Sequence, residues 1–521
     1  NNIKEDKNNK NHAKHAIVVC LIGIVLGILI EYVNTKYQTE KQNGDTEKRK
    51  YWVYSDFNDV ESKTGLLKHV HLVLERIGYE KSSNESNWNL LWSHDYPFRK
   101  LYPNMHKLKT NQKVNHFPAT GFITNKVDLA ISTSKYIPKA FKLPENKQEF
   151  LKYAKLNQDA LFLEKHNQHR GVFLKNVSAI DVSSGESFVQ EYVQKPYLVD
   201  GHKFDIGVYI VLTSVDPLRV YWYKGDVLFR YCPAKYYPFD PTVLDKYVVA
   251  DDYLPTWEVP SLAHPYTALG FSMKDAFDVY VRSQGKDPAK IWSEVENAIA
   301  EIFLMKEHHI VQALKNYPSG DNFFELMRVD LVLDEDLTVY LLEANMSPNL
   351  SSAHFPPNQL LYEQVLYNLF TITGVASHLG DKNADIRYVV LWSFLTSCKG
   401  FFIVNLVTHK FDYFFYSRLD ILTKNMISSQ KNIAVWGHIC STICKESCDG
   451  HNDVCGVCKP CVSSKLKNSL LKAHYEFLNR GDYRRVYPPQ MVMDSKSTSL
   501  SNKLQLMWYQ GKCNDDITWC S

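Results

Sequence analysis

Residues 324–351, FELMRVDLVLDEDLTVYLLEANMSPNLS, hold the carboxylates of Asp330 and Glu343 and the amide of Asn345, which a hairpin would bring together. Alternating apolar positions on either side of the acidic turn Asp334-Glu335-Asp336 predict an antiparallel hairpin, with Asp330 on one arm and Glu343 and Asn345 on the other. Counting outward from the turn sets Asp330 and Glu343 roughly opposite each other, and the period-2 rule puts Glu343 and Asn345 on one face. Facing carboxylates repel unless a proton or cation lies between them. Hard oxygen ligands with positions left for phosphate and water suit Mg²⁺. An acidic hairpin in solvent is the plain alternative, and what else the chain brings to the same place decides between the two.

Upstream lie groups that a bound phosphate would need. Lys165 ends a strand and leads into the polar turn His166-Asn167-Gln168-His169-Arg170-Gly171. Lysine, arginine and glycine there can offer charge and exposed backbone N–H groups to phosphates, although a solvated turn explains the segment equally well by itself. The strand Phe188-Val189-Gln190-Glu191-Tyr192-Val193 has a backbone edge that could hydrogen-bond an adenine ring between apolar neighbours. Lys203 and Asp205 follow a turn at Asp200-Gly201, and Arg219 and Arg230 flank a hairpin around Lys224-Gly225. Basic side chains on the strands of a pocket that also holds Mg²⁺ suit a triphosphate. Each signal is ambiguous alone; their order along the chain is the argument.

Such a site needs strands held side by side. Residues 51–92 mix short aromatic runs with the apolar helical stretch GLLKHVHLVLERIGY, which predicts a small α/β lobe. Beyond residue 146 the pattern gives a helix (KQEFLKYAKL) and the strands ALFLEK, GVFLKN, SFVQEYV, FDIGVYIVLT and LRVYWY. A further helix starts at Asp287, which can cap it, with Pro288 in the first turn and Ile291, Val295, Ile299 and Ile302 on one face. Strands interleaved with helices make the fold class α+β. The 521 residues, 45% hydrophobic and 13% aromatic, suffice for two to four domains. A net charge of +3 from 60 basic and 57 acidic side chains argues against a nucleic-acid partner.

Residues 16–33 begin with the apolar run AIVVCLIGIVLGILI, which predicts a transmembrane signal-anchor helix of the single-pass type II kind. A cleaved signal peptide is the rival, but Glu31-Tyr32-Val33-Asn34-Thr35-Lys36 holds no convincing small-x-small cleavage site. Lys4, Lys7, Lys10 and Lys14 before the run, against Lys36 and Lys41 after it, favour a cytoplasmic N-terminus and a lumenal body. A second apolar region, residues 387–430, carries Lys399 near its centre, at a cost of about 3 kcal/mol in a bilayer. A surface insertion fits it better. Eight cysteines crowd the end of the chain: Cys440, Cys444, Cys448, Cys455, Cys458, Cys461, Cys513 and Cys520. Their even number permits a disulfide-stapled module, while Cys455-Gly-Val-Cys458-Lys-Pro-Cys461 also has the spacing of Zn²⁺ ligands, the better reading for a cytosolic tail. The sequons at Asn84, Asn176 and Asn349 do not decide the compartment.

Three stretches together, KVNHFP at 113–118, VQEYVQKPYLVDGHKFDIGVYIVLTSVDPLRVYWY from Val189, and the hairpin itself, resemble the tubulin tyrosine ligase-like family over about residues 88–375. The resemblance implies an ATP-grasp fold and ATP-dependent ligation of an amino acid, commonly glutamate, to a glutamate side chain near an acidic tubulin tail. By position it implies that Lys165, Arg170 and Gly171 touch the nucleotide phosphates and that Gln190, Glu191, Tyr192 and Val193 form the adenine hinge. Lys203 and Asp205 match a KFDLR motif, Arg230 matches an arginine after the aromatic hairpin, and Asp330, Glu343 and Asn345 match the Mg²⁺ ligands. Lys203 and Arg230 are the expected catalytic cations.

The motif departs from the family at Lys203-Phe-Asp-Ile-Gly207, where the arginine is missing. Val249-Ala-Asp-Asp252 stands in place of an HLTN segment, and the loop after Lys165 is shortened. The expected organisation is a basic tail (1–15), the membrane helix (16–33), a linker (34–49), an N-terminal lobe (50–145), an ATP-grasp core (146–375), a peripheral insertion (376–435) and the Cys-rich tail (436–521). Two functions follow: a polyglutamylase-type ligase using ATP, Mg²⁺ and glutamate, or a membrane-tethered pseudoenzyme that binds nucleotide or a protein partner. A lumenal body would not meet microtubules, so topology and acceptor are linked.

Overall fold

The computed structural model describes residues 49–56, 65–84, 87–166, 172–183, 187–376, 432–444, 448, 453–489 and 499–520. The N-terminal lobe is a parallel sheet of β1 (Lys50–Tyr54), β2 (Glu80–Ser82), β3 (Leu90–Ser93) and β4 (Lys113–Val114), in the order β2-β1-β3-β4. The expected helix is present as α1 (Lys68–Arg76), which buries Val70, Val73 and Leu74. The short helix α2 (Lys126–Ala130) follows, started by Asn125, whose side chain accepts from the N–H groups of Val127 and Asp128.

A second sheet is antiparallel, with β5 (Ala140–Lys142), β6 (Phe162–His166), β7 (Val172–Lys175) and β8 (Ser187–Glu191) in the order β5-β8-β6-β7. Helix α3 (Lys147–Leu156) covers it, burying Phe150 and Ala154 against Phe141, Phe162 and Val189.

The third sheet is built on β9 (Phe204–Val215), whose near-continuous apolar run marks a strand covered on both faces. One edge of β9 pairs with β11 (Leu228–Tyr231) along its first half and β10 (Leu218–Tyr223) along its second. The other edge pairs with β13 (Glu325–Leu333), which pairs in turn with β14 (Val339–Asn345). The outer strands are β12 (Leu254–Pro255), against β11, and β15 (Tyr483–Tyr487), against β10. Packing on this sheet are α4 (Met273–Ser283), α5 (Pro288–Leu314) and α6 (Asn358–Ile372). Asp287 caps α5 as expected, accepting from the Ala289 N–H at 3.0 Å, and Ile291, Val295, Ile299 and Ile302 are buried. The expected α+β class is observed, one parallel and two antiparallel sheets with helices packed on them, consistent with an ATP-grasp-like core.

The Cys-rich end contributes β15, α7 (Ser464–Asn479) and α8 (Leu500–Asp515). Its cysteines pair as Cys440–Cys458, Cys444–Cys455, Cys448–Cys461 and Cys513–Cys520. This corrects the zinc alternative: all three cysteines of the CxxCxxC run are oxidised, each to a different partner, and none is left as a thiolate ligand. Cys232 is the free cysteine among the described residues, and it is buried.

The membrane expectation is corrected as well. Among the described residues no helix is long and apolar enough to cross a membrane. The run at 16–33 and the apolar region 387–430 both lie outside those residues. No anchor, orientation or sidedness enters the functional reading.

Candidate active site

The hairpin has the expected register, reached through a bulge. Leu333, Val332 and Leu331 stand opposite Val339, Tyr340 and Leu341, after which the ladder shifts by one and Asp330 faces Glu343. Continued without that shift, the pairing would set Leu342 against Asp330 and turn Glu343 to the other face. At the turn, Asp334 accepts from the Asp336 and Thr338 N–H groups, which fixes the loop end of both arms.

Across the sheet, Arg230 stands opposite Asp205, Gly207 opposite Asp330, and Asp330 opposite Glu343. Opposed residues and residues two apart share a face, so four strands deliver Arg230, Asp205, Asp330, Arg328, Glu343 and Asn345 to one surface. There Arg230 forks onto Asp205 (Nε to Oδ1 2.8 Å, Nη2 to Oδ2 2.7 Å) and reaches Asp330 Oδ2 at 3.0 Å. Arg328 makes a second fork onto Asp330 (Nε to Oδ1 2.7 Å, Nη2 to Oδ2 2.9 Å). Asn345 donates its amide nitrogen to Asp330 Oδ2 at 3.1 Å, which leaves its amide oxygen as an acceptor. Glu343 meets Lys126 of α2 at 3.3 Å.

Burial alone would raise the pKa of Asp330, but the guanidiniums of Arg328 and Arg230 outweigh it and hold the group below the usual carboxylate range. Asp205 is pushed up by burial and by the Asp330 charge, against the pull of Arg230.

The second sheet adds Lys165 from β6, and Lys203 comes from just before β9. Lys165 donates to the Gln190 side-chain oxygen at 2.8 Å, and burial pushes its ammonium down to about 8. Lys203 donates to the Tyr247 carbonyl at 2.7 Å with its ammonium 4.9 Å from the Tyr192 ring; burial lowers its pKa too. These groups line one cavity of about 500 Å³, in which the side chains of Lys126, Lys165, Lys203, Arg230 and Arg328 outnumber those of Asp205, Asp330 and Glu343. An excess of positive charge in a cleft concentrates anions.

The hinge strand lies inside its sheet. The N–H of Glu191 is engaged by the Lys139 carbonyl and that of Tyr192 by the Leu161 carbonyl, each at 2.8 Å. Their side chains fix the segment: the Tyr153 hydroxyl donates to Glu191 at 2.6 Å, and the Tyr192 hydroxyl donates to Tyr236 at 3.2 Å. Val193 comes one residue after Tyr192, past the end of the strand.

Other expected residues fall elsewhere. Arg219 is turned away from the cavity, buried against Glu476 at 2.7 and 3.0 Å, and belongs to the seam with the Cys-rich region. Arg170 and Gly171 lie outside the described residues. Two cavity residues were not anticipated. Arg328 carried a signal, since it lies two positions before Asp330 on the same strand face; Lys126 carried none, being 217 residues from Glu343. Among the described residues no group of three or more His, Cys, Asp or Glu side chains is arranged to hold a metal ion. By residue type the hairpin's two carboxylates and amide are a hard-oxygen set suited to Mg²⁺, but as placed Asp330 accepts from Arg328, Arg230 and the Asn345 amide nitrogen, and Glu343 pairs with Lys126, so these carboxylates are engaged within the protein.

This architecture and cavity agree with what sequence comparison finds. The profile of the Tubulin-tyrosine ligase family matches residues 104–383, just over half of the chain. A protein from Caenorhabditis elegans described as "Probable tubulin polyglutamylase ttll-15" is 38% identical over 469 residues, which cover 88% of this chain and 84% of that protein. "Tubulin polyglutamylase ttll6" of Danio rerio is 27% identical, over 60% of this chain and 41% of that protein. "Tubulin polyglutamylase TTLL7" of Homo sapiens is 27% identical, over 54% and 34%. The chain belongs to the tubulin-tyrosine ligase family, and at that level it is an ATP-dependent ligase.

Proposed function

We propose that the protein joins glutamate to a glutamate side chain of a protein acceptor, tubulin or another acidic protein, at the expense of ATP. The observation that carries this reading is the single cavity in which the opposed pair Asp330 and Glu343 meets Lys165, Lys203 and Arg230. Relatives described as tubulin polyglutamylases support the choice of amino acid.

The γ-phosphoryl group passes in line from ATP to the acceptor carboxylate, breaking the bond to the departing ADP oxygen and giving an acyl phosphate. The amine of the incoming glutamate then attacks the acyl carbon, an amide bond forms, inorganic phosphate leaves and the amine releases its proton to solvent. No side-chain nucleophile is needed, because a phosphorylated carboxylate already acylates; positioning and charge do the rest. Lys165, Lys203 and Arg230 oppose the charge on the phosphates, with Arg170 and Gly171 completing that set in the resemblance. Asp205 orients Arg230 through its fork. Gln190 to Val193 take the adenine, with the Val193 amide as donor, since those of Glu191 and Tyr192 are engaged within the sheet. Mg²⁺ would be held by Glu343, the Asn345 amide oxygen and Asp330, and when bound it neutralises phosphate charge.

A catalytically silent nucleotide binder is the second reading, and what favours it is Asp330, whose two oxygens already accept from Arg328. Incorporation of labelled glutamate into tubulin and into a glutamate-rich peptide, with Mg-ATP, separates the two. Glu343→Gln is expected to lower incorporation by about 100-fold or more. Wild type that incorporates no label above background would sink the ligase reading, and equal incorporation by wild type and variant would remove Glu343 from its machinery.

A further inference from the structure

Gly207 stands where the resemblance sets an arginine, yet the space above it is filled. A Cβ built on Gly207 would lie 2.9 Å from Cδ and 3.3 Å from Nε of Arg328. Arg328 starts opposite Tyr209 on the next strand, and its side chain runs diagonally across bare Gly207 to reach Asp330, which is Gly207's own partner in the ladder. A side chain at 207 and the observed path of Arg328 exclude each other sterically. The missing Cβ is thus what admits Arg328 to the cavity, where its guanidinium lies beside that of Arg230 on the same carboxylate. A guanidinium has five N–H donors in a rigid fork; Asp330 takes two of Arg328's, and the group lines the cavity wall beside the others.

We propose that Arg328 supplies, from the neighbouring strand, the guanidinium that Gly207 lacks, and that it grips a substrate oxyanion in this cavity, either a phosphate of ATP or a carboxylate of the amino acid. The departure at Gly207 is then a relocation of the cation, and Arg328 is a catalytic residue of the ligase. This rests on the ligase reading, so its test uses binding as well as turnover.

The test is a reciprocal exchange in the full chain, comparing Arg328→Gly, Gly207→Arg, the double variant and Arg328→Lys. Affinity for a non-hydrolysable ATP analogue and for glutamate is titrated separately by calorimetry, with thermal unfolding as the control. Arg328→Gly and Arg328→Lys are each expected to weaken one ligand by about tenfold or more, through loss of the bidentate fork. Gly207→Arg alone is expected to weaken it too, by displacing Arg328, and the double variant to recover to within a few-fold of wild type. The ligand whose affinity moves identifies the oxyanion. A folded Arg328→Gly protein that binds both ligands as wild type does would overturn the proposal, as would a folded double variant no better than Arg328→Gly. If the double variant does not fold, Arg328→Lys decides alone: unchanged affinity for both ligands overturns the proposal. Wild type that binds both ligands but transfers no glutamate overturns the ligase reading and leaves the binding result standing.

Discussion

Lys165 is a half-buried ammonium whose charge hangs on the pH of the medium. Burial pushes it down to about 8, against the favourable field of Glu343, while Lys126 and Lys203 add to the depression. Below that value it carries its charge and can meet a phosphate directly; above it, a proton must be taken up for the same contact. Nucleotide affinity should therefore be flat between about pH 6 and 7.5 and fall by up to about tenfold per pH unit above 8. Lys165→Arg, charged throughout, should flatten the decline. Titration of the ATP analogue across this range checks both, and a decline of equal slope in the variant would assign it to another group. At this scale the sequence was readable in part. Lys165, Lys203, Asp205 and Arg230 do share one cavity, because strand ends and period-2 alternation fix where such side chains go. Arg219 has the same residue type on a strand, but whether it faces a cavity or a seam depends on what packs above it, and Glu476 lies 257 residues further on.

Elements show a similar division. The hairpin was readable because its turn and both arms are local, yet the single-residue shift beyond Leu331 that sets Glu343 against Asp330 has no marker in VYLLEAN. A bulge is a compromise between ladder and packing, so it is settled by neighbours such as β9 rather than by the strand itself. Helix α5 was equally plain from its cap and period, but its exposed-looking Glu307 proves to be a docking point. Both of its oxygens accept from Asn502 of α8, at 2.9 and 3.0 Å. Burial raises its pKa from 4.5 to about 7, with Asp216 adding to the rise and the Asn502 bonds opposing it. A raised acid favours the protonated native state, so its contribution to stability is full below about pH 4.5 and is lost as pH rises through about 7. Glu307→Gln should match wild type near pH 5 and exceed it by about 1–3 kcal/mol at pH 8. Urea unfolding at the two pH values tests this; a variant less stable than wild type at pH 8 would show that the carboxylate is needed ionised.

For the whole molecule, the question is whether the Cys-rich region is an appendage or part of the ligase. The cysteine count pointed to a stapled module, but eight cysteines allow 105 pairings, and no spacing rule chooses among them. Nor did the tail announce that Tyr483–Tyr487 would add a strand to β10 of the core sheet. The seam between them is apolar along β15, where Tyr483, Val486 and Tyr487 join the main core, and polar beside it. Arg219 of β10 forks onto Glu476 of α7 and also donates to Ser469 and Gln505, while Thr213 and Tyr221 donate to the same carboxylate. Such a cluster holds only while complete: with every donor and acceptor matched, the desolvation of the two charges is offset, and removing one partner leaves the other buried and unpaired. Glu476→Ala should therefore cost about 3–5 kcal/mol of unfolding free energy. Replacing both partners, as Arg219→Met with Glu476→Leu, should cost less than Glu476→Ala alone, because no orphan charge remains. Nucleotide affinity of the folded fraction should be unchanged in each, since Arg219 faces away from the cavity. Denaturant unfolding of the three proteins measures this. If Glu476→Ala stays within about 1 kcal/mol of wild type, the range of surface ion pairs, then the seam is wet and the Cys-rich region is an appendage after all.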